Sequence, residues 1–163
     1  MDELSEVRRR LAILEDRELV LEALYRYAHA VESGTDAEFV ACFTEDAVFD
    51  IHYGDYPGPV PTYSGTRHEK GVRHQGAAQL EAYVAGAAAR RGGTPQLRML
   101  ADPIIAIDGE EATSRSYLVG IMPFSGKPEV LDLGRYLDRL RRVAPGEWRI
   151  AHRVVEVIAA RPM

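Results

Sequence analysis

Gly134-Arg135-Tyr136-Leu137-Asp138-Arg139-Leu140, a Pro145-Gly146 turn, and Trp148-Arg149-Ile150-Ala151-His152-Arg153 decide the fold. Two alternating stretches across a tight turn read as a β-hairpin. The alternation sets several polar side chains on one face of a sheet whose other positions are apolar. Polar groups aimed at a concave apolar surface are what a small-molecule pocket requires.

Upstream of the hairpin the strand pattern continues. Gln96 to Ile107, Ala112 to Met122, Val130 to Val143 and Glu147 to Ala159 read as strands, divided by Asp108-Gly109, Gly126-Lys127-Pro128 and Pro145-Gly146. Ahead of them, Ala77 to Arg90 has helical composition, with Leu80, Tyr83, Val84 and Ala87 on one face. Val48 to Tyr53 is a first strand, and it runs into a proline-rich stretch that cannot be a central strand. The loop from there to about Gln75 is longer than the usual limit of about 12–15 residues, which suits a lid or a binding loop.

The first third of the chain is helical. Leu4, Val7, Leu11 and Leu14 repeat at helical spacing, and the phase continues through Leu21, Leu24, Ala28 and Val31. Two pieces are predicted, the second capped by Asp16 and stopped at Gly34, where φ can turn positive. Thr35 and Glu38 fit a capping box that opens a short helix carrying Phe39, Val40 and Phe43. Helices first and an antiparallel sheet later is an α+β order.

Composition limits what this fold can do. A chain of 163 residues with 46% hydrophobic content builds one core, so residues 1–163 read as a single domain. A formal charge of −5 offers no general attraction for nucleic acid or anionic lipid. Lone Cys42 cannot form an internal disulfide, no apolar run approaches a membrane span, and the acidic Met1-Asp2-Glu3-Leu4 is unlike a secretory signal. The expectation is a soluble cytoplasmic protein that binds neither nucleic acid nor membrane.

Four stretches carry a family resemblance: Leu14-Glu15-Asp16-Arg17, Phe43-Thr44-Glu45-Asp46-Ala47-Val48-Phe49, Gly134-Arg135-Tyr136, and Trp148 to Arg153. In order and spacing they resemble the SnoaL-like branch of the nuclear-transport-factor-2-like (NTF2-like) superfamily, over nearly the whole chain. The resemblance implies a cone of N-terminal helices on a strongly curved antiparallel sheet, with a pocket at the open end; no cofactor is expected, since no nicotinamide or flavin fingerprint appears in the sequence. It also implies a homodimer or higher homo-oligomer, because an exposed sheet face in this fold seeks a partner. Relatives include scytalone dehydratase, bile-acid 7α-dehydratase, polyketide cyclases, ketosteroid isomerase and a dehydrochlorinase. Non-enzymatic members and the small subunits of ring-hydroxylating dioxygenases share the fold, so fold alone does not name the reaction.

On the long helix, Tyr27 and Glu32 flank the stripe through Leu24, Ala28 and Val31 and can look into a neighbouring pocket. The resemblance sets them where dehydratase relatives carry a tyrosine and an aspartate. The plainer reading makes Tyr27 core and Glu32 a solvated helix end. In the first strand Val48, Asp50 and His52 share one face, while Phe49, Ile51 and Tyr53 share the other. His52 resembles a pocket tyrosine of scytalone dehydratase in position and is the preferred general acid or base, with Asp50 or Glu32 beside it.

Arg153 matches a pocket arginine of the dehydrochlorinase, where a guanidinium can steady a leaving anion or an enolate. Tyr117 and Tyr136 join it as candidate substrate contacts. The catalytic histidine of those relatives is replaced here by Arg98, which cannot act as a base at neutral pH. A pocket aspartate of the bile-acid enzyme falls on Gly120. His68 and His74 lie in the long loop around Glu69, and a lid histidine over the pocket is favoured there above a zinc site, because the spacing matches no recognised metal pattern. The function expected is a lyase, isomerase or cyclase working on a hydrophobic, oxygenated small molecule by removing a proton beside a carbonyl. Alternatives are a non-catalytic binding protein or a dioxygenase small subunit.

Overall fold

The computed structural model describes residues 2–54 and 64–160. Helix α1 runs without a break over Glu3–Ser33, and Asp2 caps it by accepting from the Ser5 amide. The predicted division at Asp16 does not occur. Asp16 is an interior helix residue whose carboxylate accepts two hydrogen bonds of 2.8 Å from Arg142. Gly34 ends the helix in an extended conformation, at φ −77°. It is needed for space, since a β-carbon there would run into the Ala30 backbone.

Helix α2 covers Asp36–Ala41 and opens with the expected capping box. The Glu38 amide donates to Thr35 Oγ1 and the Glu38 carboxylate accepts from the Thr35 amide. Helix α3 covers Ala77–Arg91 and stops at Gly92, which is left-handed at φ 56°.

Among the described residues, seven strands follow the order β2-β3-β1-β7-β6-β5-β4 in one sheet. They are β1 (Phe43–His52), β2 (Thr66–His68), β3 (Gly71–Gln75), β4 (Leu97–Asp108), β5 (Glu111–Phe124), β6 (Lys127–Ala144) and β7 (Glu147–Ala160). Pairing is antiparallel except between β1 and β7, which run parallel. The sheet is thus mixed, and the fold is the expected α+β arrangement of helices on a curved sheet. Part of the stretch read as a long loop forms the β2–β3 hairpin on the sheet edge. Its 55–63 portion falls outside the described residues.

Burial explains why the sheet folds over the helices. The inner face carries Phe43, Ala47, Phe49 and Ile51 from β1, Leu118 from β5, Tyr136 and Leu140 from β6, and Trp148, Ile150 and Val155 from β7. They close on Val20, Ala23, Leu24, Tyr27 and Ala30 of α1, with Phe39, Leu80 and Val84. Each large side chain so buried contributes about 1.5–3 kcal/mol. The period-two pattern slips twice in β7, at Ile158 near its end and at Ala151, where Leu140 pairs with Ile150 but Arg139 with His152. The slip at Ala151 turns Arg153 inward and His152 outward. Outside the sheet, Leu97, Met99, Tyr117, Leu133 and Ile158 remain exposed.

Candidate functional site

A cavity of about 320 Å³ opens between α1, α2, α3 and the inner face of the sheet. Phe39, Phe49, Ile51, Val84, Val155 and Val157 give it apolar walls, with Tyr27, Tyr53, Tyr83 and Tyr136 adding rings that carry a hydroxyl. The β1 alternation is settled: Phe49, Ile51 and Tyr53 face the cavity, while Asp50 and His52 take the other face. Among the described residues no histidine lines it, and Asp132 is its one carboxylate.

Asp132 sits there because of a row of three residues across the sheet. Arg98 pairs with Gly120, and Gly120 pairs with Asp132. A β-carbon at position 120 would overlap Asp132 Oδ1, so glycine makes room for the carboxylate. Over that gap Arg98 Nη1 meets Asp132 Oδ2 at 2.8 Å. With its side-chain amide turned so that the oxygen faces Arg98, Gln96 Oε1 accepts from Arg98 Nη2 at 3.0 Å and Nε at 3.2 Å. Burial opposes the charge on Arg98, but the facing Asp132 outweighs it and raises the pKa further. Arg98 is therefore a neutralised cation that holds Asp132, whereas Asp132 Oδ1 is buried and has no hydrogen-bond partner among the described residues.

Behind the cavity wall lies a second ion pair. Arg153, completely buried, donates to Asp138 from Nε at 2.6 Å and from Nη2 at 2.8 Å. Its guanidinium is wedged 3.9 Å from the Tyr27 ring centroid and 4.2 Å from that of Tyr136. Burial raises the pKa of both phenols, which keeps their hydroxyls protonated. Arg153 stiffens the two tyrosines and is not itself on the cavity wall.

The sequence-predicted residues thus divide. Tyr27, Tyr136 and Arg98 line the cavity. Arg153 lies one layer deeper, Glu32 is exposed near the end of α1, and Tyr117 is exposed on the outer face. Asp50, His52 and His68 cluster on the outer side of the sheet edge. There Asp50 accepts from Arg73 Nε and Nη2, both at 2.8 Å, and lies 3.1 Å from His152 Nε2. Burial alone would raise the Asp50 pKa, but the Arg73 and His152 contacts win and lower it. Burial also lowers the pKa of His52.

Ligand atoms of Asp50, His52 and His68 come within 4.8 Å of one another, as a metal site requires. However, Arg73 engages both Asp50 oxygens, and the Lys70 amide donates to His68 Nδ1 at 3.2 Å. His74 is on neither the cavity wall nor this cluster. It is buried between the Phe49 and Tyr83 rings, 6.0 and 4.8 Å between centroids, where burial lowers its pKa. His68 and His74 therefore share no site. Cys42 is buried, donates to the Glu38 carbonyl, and has its thiol pKa pushed up by burial to about 11, as suits a core residue.

The model of the SnoaL-like domain matches residues 12–154. The chain belongs to the SnoaL-like domain family. No curated protein matches it. Among solved structures, an NTF2-like protein with a cystatin-like fold from Novosphingobium aromaticivorans is 22% identical, with a TM-score of 0.76 over 97% of this chain and 92% of that one. A Mycobacterium tuberculosis protein of unknown function is 25% identical, with a TM-score of 0.66 over 96% and 76%. A further N. aromaticivorans protein, provisionally described as a scytalone dehydratase, is 17% identical, with a TM-score of 0.66 over 92% and 94%. In this SnoaL-like chain no helix of the described residues is long and apolar enough to cross a membrane.

Asp132 and Gln96 escaped the sequence reading. The signal for Asp132 was present, since Asp132, Gly134, Tyr136, Asp138 and Leu140 fall on one face at period two. For Gln96 the sequence offers none, because its role depends on where Arg98 points.

Proposed function

We propose that this SnoaL-like protein is a cofactor-independent enzyme that moves a proton beside a carbonyl of a hydrophobic, oxygenated small molecule, as a lyase, isomerase or cyclase. The observation that carries the reading is one carboxylate, Asp132, on the wall of an apolar cavity ringed by tyrosines. Arg98 grips Oδ2, while Oδ1, packed over Gly120, has no hydrogen-bond partner among the described residues, so a lone pair of the carboxylate is left uncommitted. In this scheme Asp132 takes the proton from carbon, and the Tyr27 or Tyr136 hydroxyl donates to the carbonyl oxygen as it gains charge. The electron pair of the C–H bond enters the enolate, and reprotonation or loss of a leaving group completes the turnover.

A second reading, binding without chemistry, is favoured by the way both buried arginines are neutralised inside the protein, Arg98 by Asp132 and Arg153 by Asp138. One experiment separates the two. A panel of bicyclic and tetracyclic ketones is incubated with the protein in D2O, and loss of the proton beside the carbonyl is followed by NMR, with saturation transfer recording binding. Exchange that disappears in Asp132→Asn supports the enzyme. Binding without exchange supports the carrier, and neither signal across the panel excludes both for these ligands.

A further inference from the structure

The first half of α1 stands apart from the rest of the fold. Buried residues of the helix begin only at Val20, and Glu3 to Glu15 are exposed almost throughout. That is an overhang of about 20 Å at 1.5 Å per residue. A helix of this length is marginal in water unless something packs against it.

The overhang carries an apolar seam. Leu4, Val7, Leu11 and Leu14 follow one another at steps of three, four and three residues, and each is more than half exposed. These steps are the a and d positions of a heptad repeat, the spacing of two helices wound on each other. The register continues through Glu18 to Leu21 and Tyr25. Asp16, on the side opposite the seam, is tied to Arg142 of the domain, so the seam turns away from the protein's own body. A second helix can reach it without meeting the sheet.

The charges beside the seam name the occupant. One flank carries Glu3, Arg10 and Arg17, and the other carries Arg8, Glu15 and Glu22. In a parallel, in-register pair each residue of the first flank faces the residue five places later in the other helix. The three resulting pairs are Glu3 with Arg8, Arg10 with Glu15, and Arg17 with Glu22, all of opposite sign. An antiparallel pair sets each flank against its own kind and, with the seam fully overlapped, brings Arg10 of each helix against Arg17 of the other.

We infer that a second copy of this chain covers the seam, the two α1 overhangs forming a short parallel two-stranded coiled coil that joins the protein into a dimer. The interface is independent of the cavity and of the exposed outer face of the sheet.

Sedimentation equilibrium of the untagged full chain tests this. The wild type is expected to be a dimer at micromolar concentration, with Arg10→Glu and Glu15→Arg each weakening it roughly tenfold and the double variant restoring it. Arg10 also meets Glu6 of its own helix at 2.7 Å, so rescue by the double variant is the decisive readout. In a second arm Leu14→Cys, at a seam position that faces itself across a parallel pair, is expected to form an interchain disulfide under mild oxidation. Buried Cys42 leaves little background. A monomeric wild type, a dimer indifferent to both charge reversals, a double variant as weak as the singles, or a Leu14→Cys chain that fails to cross-link would each overturn the inference.

Discussion

Arg98 on β4 and Asp132 on β6 stand two strands apart, yet their side chains meet at 2.8 Å because the residue between them, Gly120, has no side chain. Gly120→Ala would push a methyl group into Asp132 Oδ1. The expected cost is about 1–3 kcal/mol, together with loss of any exchange activity. A lower urea midpoint and a silent NMR exchange assay are the readouts, and an Ala variant matching wild type in both would contradict the packing described.

Removing the charge of Asp132 separates chemistry from binding. Asp132→Asn keeps the shape of the wall but cannot take a proton from carbon, and the exchange rate is expected to fall by about a hundredfold or more. His52→Ala and Glu32→Gln, both away from the cavity, are expected to leave that rate within about twofold. A reversed pattern would return the proton transfer to His52.

The buried pair of Arg153 and Asp138 predicts a strong asymmetry between single and double variants. Arg153→Met leaves the Asp138 carboxylate buried without its partner, at a cost of about 3–5 kcal/mol. Arg153→Met combined with Asp138→Leu removes both charges and is expected to recover most of that loss. Denaturant unfolding of the four proteins in the cycle measures it directly. Additive losses would show that the ion pair does not act as a unit.

His74 predicts an acid sensitivity. Burial between Phe49 and Tyr83 lowers its folded pKa below the ordinary value of about 6.5. The unfolded chain therefore binds this proton more readily than the folded one. The contribution to stability is fully present above about pH 6.5 and is lost as pH falls through the lowered folded pKa. Urea midpoints from pH 7.5 down to pH 4.5 should drop more steeply for wild type than for His74→Gln. Parallel curves would exclude His74 as the source.

The sequence revealed the order of helices and strands and the capping box at Thr35, because periodicity and cap chemistry are local. It did not reveal which face of β1 points inward. Asp50 and His52 alternate with Phe49, Ile51 and Tyr53, and the choice depends on how β1 docks beside β7. Nor did it show that Asp16 bonds to Arg142, 126 positions away, instead of capping a second helix. The partners of Arg98 and Arg153 were equally hidden, since each ion pair forms only when separate strands meet. Continuity of α1 through Asp16 also left the early leucines standing clear of the core, which helical spacing alone could not disclose.

The bulge at Ala151 gives β7 a spare unit of phase. On either side of it the strand keeps its own alternation, with Trp148 and Ile150 inside before it and Arg153 and Val155 inside after it. Losing one residue at 151 would flatten the strand and still deliver the guanidinium to Asp138. A one-residue deletion in the regular stretch from Arg153 to Val157 would exchange inside for outside in the positions after it, up to the second bulge at Ile158. Natural variation in length along this strand is therefore accommodated at its two bulges and excluded from the regular stretch between them.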